Sequence, residues 1–143
     1  MHKILFVCHG NICRSTMGEQ ILKDMVKKAG REQDFFIDSA AVSREEIGNP
    51  IYMPARRELL RHGVEPGDHR ARQVTMADYR LFDRIYYMDR SNGRYLARML
   101  PEDPEKIRPL LSRDVADPWY TGDFQKTWED LLEGCKRIME ECK

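Results

Sequence analysis

The opening segment admits few folds. Ile4-Leu5-Phe6-Val7 is a continuous apolar run without the alternation of a half-exposed strand, and it suits a strand buried on both faces. Cys8 ends the run, five residues intervene, and Arg14-Ser15 open a segment in which Met17, Ile21, Leu22, Met25, Val26 and Ala29 recur at helical spacing up to Gly30. A strand that turns through a short loop into a helix points backbone N–H groups and the positive helix end at one spot, which favours an oxyanion. Gly10 lets the backbone bend close to a ligand, and Asn11 tolerates a left-handed conformation. Arg14 brings a planar fork for two phosphoryl oxygens, Ser15 a hydroxyl that can donate to the Cys8 sulfur, and these surroundings favour that sulfur as an anionic nucleophile. The chemistry implied is phosphate-ester cleavage through a cysteinyl-phosphate.

Further strand and helix signals alternate, which implies βαβ units. Strands are expected at residues 3–8, 35–41, 84–89 and 107–111. Helices are expected from Pro54 to Gly63, from a Ser91 cap to about Leu100, and over 123–141, where Phe124, Trp128, Leu131, Leu132, Cys135 and Ile138 form the buried stripe. The expected fold is α/β: one doubly wound domain over residues 1–143, a central four-stranded parallel sheet with helices on both faces, and the phosphate-binding loop after the first strand. Ligands of such sheets bind beyond the carboxyl ends of the strands, where Cys8, Ser39 and Asp89 fall.

Lys plus Arg and Asp plus Glu number 24 each, so no net field recruits nucleic acid or a membrane surface. The longest apolar run is about six residues against the ~20 that span a bilayer, and neither membrane insertion nor a signal peptide is expected. Cys135 and Cys142, seven apart on one expected helix, are separated by about 10 Å of rise, too far for a disulfide. No cysteine or histidine spacing suits zinc, so no metal or other cofactor is expected, and a reducing cytoplasm is the expected setting.

A phosphatase needs an acid for the leaving oxygen and then a base for water. Asp117 is the candidate: Pro118 holds it extended, and Trp119 and Tyr120 beside it can cover an aromatic substrate. An ordinary Asp-Pro turn with two aromatics closing the core is the plain alternative. The run Val7-Cys8-His9-Gly10-Asn11-Ile12-Cys13-Arg14-Ser15 with Asp117-Pro118-Trp119-Tyr120 resembles the low-molecular-weight protein tyrosine phosphatase family. Asp38-Ser39-Ala40, Ile47-Gly48, His69-Arg70-Ala71-Arg72-Gln73 and Met88-Asp89-Arg90-Ser91-Asn92 follow in the family's order.

The resemblance implies Cys8 as nucleophile, Arg14 as phosphate clamp and Asp117 as acid then base. His9, Gly10, Asn11, Ile12, Cys13, Arg14 and Ser15 would form the phosphate-binding loop, held in shape by Asn11, Ser15, Ser39 and His69, although a surface or turn role is also open for His69. Asp89 matches a second carboxylate near the loop, or caps a helix. Cys13 matches a cysteine that forms a reversible disulfide with the nucleophile, or simply packs. Implied partners are phosphorylated proteins or peptides, with inorganic phosphate as product and inhibitor.

The chain departs from the family at Thr16, where a proline often stands, and at Ala41-Val42, usually Gly-Thr. Glu45 occupies the place where eukaryotic members often carry a tryptophan beside the substrate; it either disfavours acidic phosphopeptides, favouring basic neighbours of the phosphate, or is simply solvated. Trp119 and Tyr120 complete the expected rim. Among rivals, thioredoxin-coupled arsenate reductase needs further cysteines, and none lies between Cys13 and Cys135. A related phosphoarginine branch typically has threonine where Ile12 stands. A non-catalytic phosphopeptide-binding module would have no use for Arg14 together with Asp117.

Overall fold

A computed structural model describes residues 1–143. Four strands, β1 (His2–Cys8), β2 (Phe35–Ala41), β3 (Arg84–Tyr87) and β4 (Ile107–Pro109), form one sheet in the order β2-β1-β3-β4. Every pairing is parallel, with Cys8 opposite Ala41 and Val7 opposite Tyr87. The helices are α1 (Arg14–Lys28), α2 (Met53–Arg61), α3 (Met76–Leu81), α4 (Arg90–Met99), α5 (Pro118–Thr121) and α6 (Phe124–Glu141).

The apolar run of β1 divides its side chains between two cores, as a pleat of period two requires. Ile4, Phe6 and Cys8 join Met17, Ile21 and Leu22 of α1, Leu59 of α2 and Trp128, Leu131 and Ile138 of α6. Leu5 and Val7 face the opposite way, against Phe82, Leu96 and Leu100 beside α3 and α4. Helices therefore cover both faces, and burying β1 on both sides fixes its register and with it the position of Cys8 at its end.

Several boundaries move for identifiable reasons. The third strand ends at Tyr87 rather than 89, because Asp89 instead caps α4: its carboxylate accepts from Asn92 N, and Asn92 Oδ1 accepts from Asp89 N in return. Ser91, expected as that cap, lies inside the first turn of α4. The fourth strand stops at Pro109: Leu110 N still donates to the Tyr87 carbonyl, but the next donor on the β3 side, Asp89 N, turns to Asn92 Oδ1. Asp117-Pro118-Trp119-Tyr120, expected as loop, caps and begins the one-turn α5, which Gly122 closes at φ 72°. In α6, Phe124 and Leu132 are only partly buried, while Trp128, Leu131, Cys135 and Ile138 form the buried stripe. The short α3 has no counterpart among the expected helices; it carries too few apolar positions for periodicity, and its signal is the Thr75–Asp78 capping box.

Candidate active site

The loop of residues 9–13 joins β1 to α1 and closes around the Cys8 sulfur. Three donors converge on that atom: Ser15 Oγ at 3.0 Å, Asn11 N at 3.3 Å and Ser15 N at 3.4 Å. Such a shell is what an anionic sulfur requires. The backbone N–H groups of His9, Gly10, Ile12, Cys13 and Arg14 donate to no protein atom. They form an unpaired arc of donors ahead of the α1 N-terminus, the arrangement that holds an oxyanion.

Asn11 gives the loop its bend. It is the one non-glycine residue with positive φ, 63°, and it is 1% exposed. Its Nδ2 donates to Ser15 Oγ (2.7 Å) and Ser39 Oγ (3.0 Å), while its Oδ1 accepts from His69 Nε2 (2.7 Å) and Arg72 N (3.2 Å). Ser39 Oγ donates onward to Glu19 Oε1 at 2.6 Å. Ser39 and His69 thus meet at Asn11, in contact with the loop rather than with the sulfur. Gly10 lies so close to the 43–46 loop that a Cβ there would stand 3.3 Å from Glu46 Cγ.

Arg14 is 2% exposed, and its guanidinium is held from behind. Nη1 donates to Asp89 Oδ2 (2.7 Å) and to the Val115 carbonyl (2.8 Å), and Nη2 to Asp117 Oδ2 (3.3 Å). Nε–H and one Nη2 N–H remain for a ligand. Burial alone would weaken its hold on the proton, but the Cys8 sulfur and the Asp89 and Asp117 carboxylates outweigh this and raise its pKa, so it is cationic at any working pH. Asp89 divides its carboxylate, Oδ1 capping α4 and Oδ2 orienting Arg14, so the two roles left open for it coexist. Asp117 is part-exposed at the pocket edge, in an extended backbone conformation, with Oδ1 accepting from Trp119 N at 3.0 Å. Val115 N donates to the Met88 carbonyl, which pins this loop to the end of β3.

The pocket in front of Cys8 is lined by the loop residues, Asp117, Trp119, Tyr120, Glu45 and Glu46. Trp119 and Tyr120 are exposed at 52% and 84% and do not close the core; Trp119 leans on Tyr52 at 4.8 Å between ring centroids. Ile12 sits in the wall, packed with Cys13 and Ala71. Burial, with the neighbouring Cys8 charge, pushes the Cys13 thiol well up, so it stays protonated at neutral pH.

Sequence reasoning assigned no part to Glu19, Glu46, Arg72, Asp78 or the Val115 carbonyl. Arg72 forks onto both Asp78 oxygens at 2.9 Å and reaches Asp38 at 3.1 Å, so its own N–H is presented squarely to Asn11. Glu19 is buried on α1 and accepts from Lys23 Nζ and Ser39 Oγ. Its one detectable signal was its place one turn after Ser15 on the buried face of α1. Glu19, Asp38 and His69 lie within 4.8 Å of one another, and Lys23, Ser39 and Arg72 already engage the two carboxylates.

The fold and the loop define a cysteine-based phosphatase class, and comparison with known proteins narrows it. Residues 3–143 match the family model described as low molecular weight phosphotyrosine protein phosphatase, and the chain belongs to that family. It is 37% identical to the low molecular weight protein-tyrosine-phosphatase YfkJ of Bacillus subtilis, across 97% of this chain and 94% of that protein. It is 36% identical to the human low molecular weight phosphotyrosine protein phosphatase, across 96% and 93%. The crystal structure of YfkJ superposes with a TM-score of 0.94, covering 99% of this chain and 94% of that one. The structure of DARP, a drosophila arginine phosphatase, is similar at 32% identity and a TM-score of 0.86, covering 99% and 98%. No helix is long and apolar enough to cross a membrane.

Proposed function

We propose that the chain hydrolyses protein phosphotyrosine at Cys8. The observation that carries this is the arc of five unpaired N–H groups around a sulfur that itself accepts three hydrogen bonds. The phosphoryl group enters with two oxygens on Arg14 Nε and Nη2 and the others on the loop N–H groups. Cys8 attacks phosphorus in line, the P–O bond breaks, and Asp117 protonates the departing phenolate. Asp117, now a carboxylate, takes a proton from water as that water attacks phosphorus; the S–P bond breaks, and the sulfur leaves as thiolate onto Ser15 Oγ. Inorganic phosphate is the product and competes for the same cradle. Arg14 and the loop supply the positive field, so the reaction needs no metal, and the four free thiols suit a reducing compartment such as the cytoplasm.

Trp119, backed by Tyr52, forms an apolar wall for an aromatic leaving group. Ile12 offers the pocket no hydroxyl that would bond a guanidinium, which favours phosphotyrosine over the phosphoarginine substrate of DARP-like relatives. Turnover of para-nitrophenyl phosphate in excess chelator tests the chemistry. The wild type releases phosphate steadily; Cys8→Ser loses turnover and keeps phosphate-analogue binding, and Arg14→Ala loses both. Full activity in either variant refutes the assignment, and a phosphoarginine peptide hydrolysed faster than its phosphotyrosine counterpart refutes the substrate.

A further inference from the structure

The mouth of the pocket changes charge across a single residue. On one side, in the loop after β2, stand Glu45 and Glu46. The Glu45 side chain is 69% exposed, and its carboxylate meets a single side chain, His9 Nε2 at 3.2 Å. On the other side His9 meets Tyr95 of α4 edge-on, with ring centroids 5.8 Å apart. One turn further, the Arg98 guanidinium stacks over the Tyr95 ring at 5.8 Å. Arg94 precedes Tyr95, four residues before Arg98 and hence on the same side of the helix. Glu45, His9, Tyr95 and Arg98 are therefore one unbroken chain of contacts from an acidic loop to a basic helix face.

Nothing in the fold consumes the charge of that face. Arg94 and Arg98 are exposed, and their side chains make neither an ion pair nor a hydrogen bond, which leaves both guanidinium groups open to a carboxylate from outside. Tyr95 is 40% exposed beside the rim, and its ring supports the Arg98 guanidinium from one face. The whole chain has no net charge, so discrimination here is local rather than long-range steering.

We infer that the rim selects the residues flanking the phosphotyrosine in opposite senses: Glu45 and Glu46 take a basic residue on one flank, and the Arg94–Tyr95–Arg98 face of α4 takes an acidic residue on the other. The inference rests on the phosphotyrosine reading above. An extended peptide advances about 3.3 Å per residue, and the two 5.8 Å steps from His9 through Tyr95 to the Arg98 guanidinium are spanned by about four residues at most. Because a peptide has direction, a bipolar rim fixes which way the substrate lies across Cys8.

The test compares kcat/KM on three phosphotyrosine peptides: one with acidic residues before and basic after, one with the same residues in reverse order, and one with neutral flanks. At low ionic strength one charged order exceeds the other by about three- to tenfold, the scale of a few exposed ion pairs, and the gap closes in about 0.5 M salt. Relative to the neutral peptide measured on the same variant, Arg94→Glu with Arg98→Glu removes the advantage of the acidic flank, and Glu45→Lys that of the basic flank. Equal wild-type rates for the two orders overturn the inference, as does a double variant that slows all three peptides by one factor. A wild type that leaves even the neutral peptide intact overturns the phosphotyrosine reading itself.

Discussion

Asn11 is where the loop's shape and its hydrogen bonds can be separated. Its φ of 63° costs an alanine about 1 kcal/mol more than asparagine or glycine. Its side chain makes four hydrogen bonds, and truncation leaves the Arg72 N–H without a partner and His69 Nε2 with only the 3.3 Å contact to Ser39. An unsatisfied buried donor costs about 1–3 kcal/mol. Asn11→Ala thus places about 3 kcal/mol against the native loop, and a loop relaxed by that amount holds its N–H arc correctly in a small fraction of molecules. At 1.4 kcal/mol per decade, kcat on para-nitrophenyl phosphate falls about a hundredfold. Asn11→Gly removes the conformational penalty but not the lost bonds, so it recovers only about a factor of five. Urea titration of each variant shows how much of the energy appears as global instability instead. An Asn11→Gly enzyme with wild-type kcat would refute the role of the network, since the bend alone would then suffice. Wild-type kcat for Asn11→Ala would refute both parts.

Two further outcomes follow from neighbouring groups. Asp117→Asn lowers single-turnover kcat about 10²–10⁴-fold on phenyl phosphate, and much less on a phosphate ester whose leaving group needs no proton; an equal loss on both would make Asp117 an electrostatic support rather than the acid. Asp78 is buried, which pushes its pKa up, but the Arg72 fork and Thr75 outweigh that and hold it below its ordinary 3.8. A carboxylate depressed in the folded state contributes stability above its unfolded pKa and loses it as pH falls through the folded one. Asp78→Asn is therefore less stable than wild type by about 1–2 kcal/mol at neutral pH, the range for a charge-assisted cap, with the gap constant above about pH 5 and closing below about pH 4. A gap in urea midpoint that persists undiminished to about pH 2.5 contradicts this.

What was legible in the sequence is what local chemistry encodes. The run Ile4–Val7 carries its own burial, Cys8 and Arg14 carry their spacing, and Pro118 fixes the backbone at Asp117, so the strand, the loop and the carboxylate at its mouth were all visible without a partner in space. The support was not visible, because it is built from side chains whose partners lie far along the chain: Arg72 acts on Asn11 across 61 residues, and the Val115 carbonyl on Arg14 across 101. Neither residue type announces such a role. Asp89 shows the same limit from the other direction. Its two readings, cap and catalytic neighbour, looked exclusive in one dimension, yet a carboxylate has two oxygens, and the helix takes one while Arg14 takes the other. The capping of α4 therefore also sets the rotation of the guanidinium. The guanidinium proposed to clamp the phosphoryl group is as rigid as the helix that carries Tyr95 and Arg98. One element thus fixes both the chemistry at Cys8 and the basic side of the rim, and a shift of α4 would change turnover and flank selectivity together.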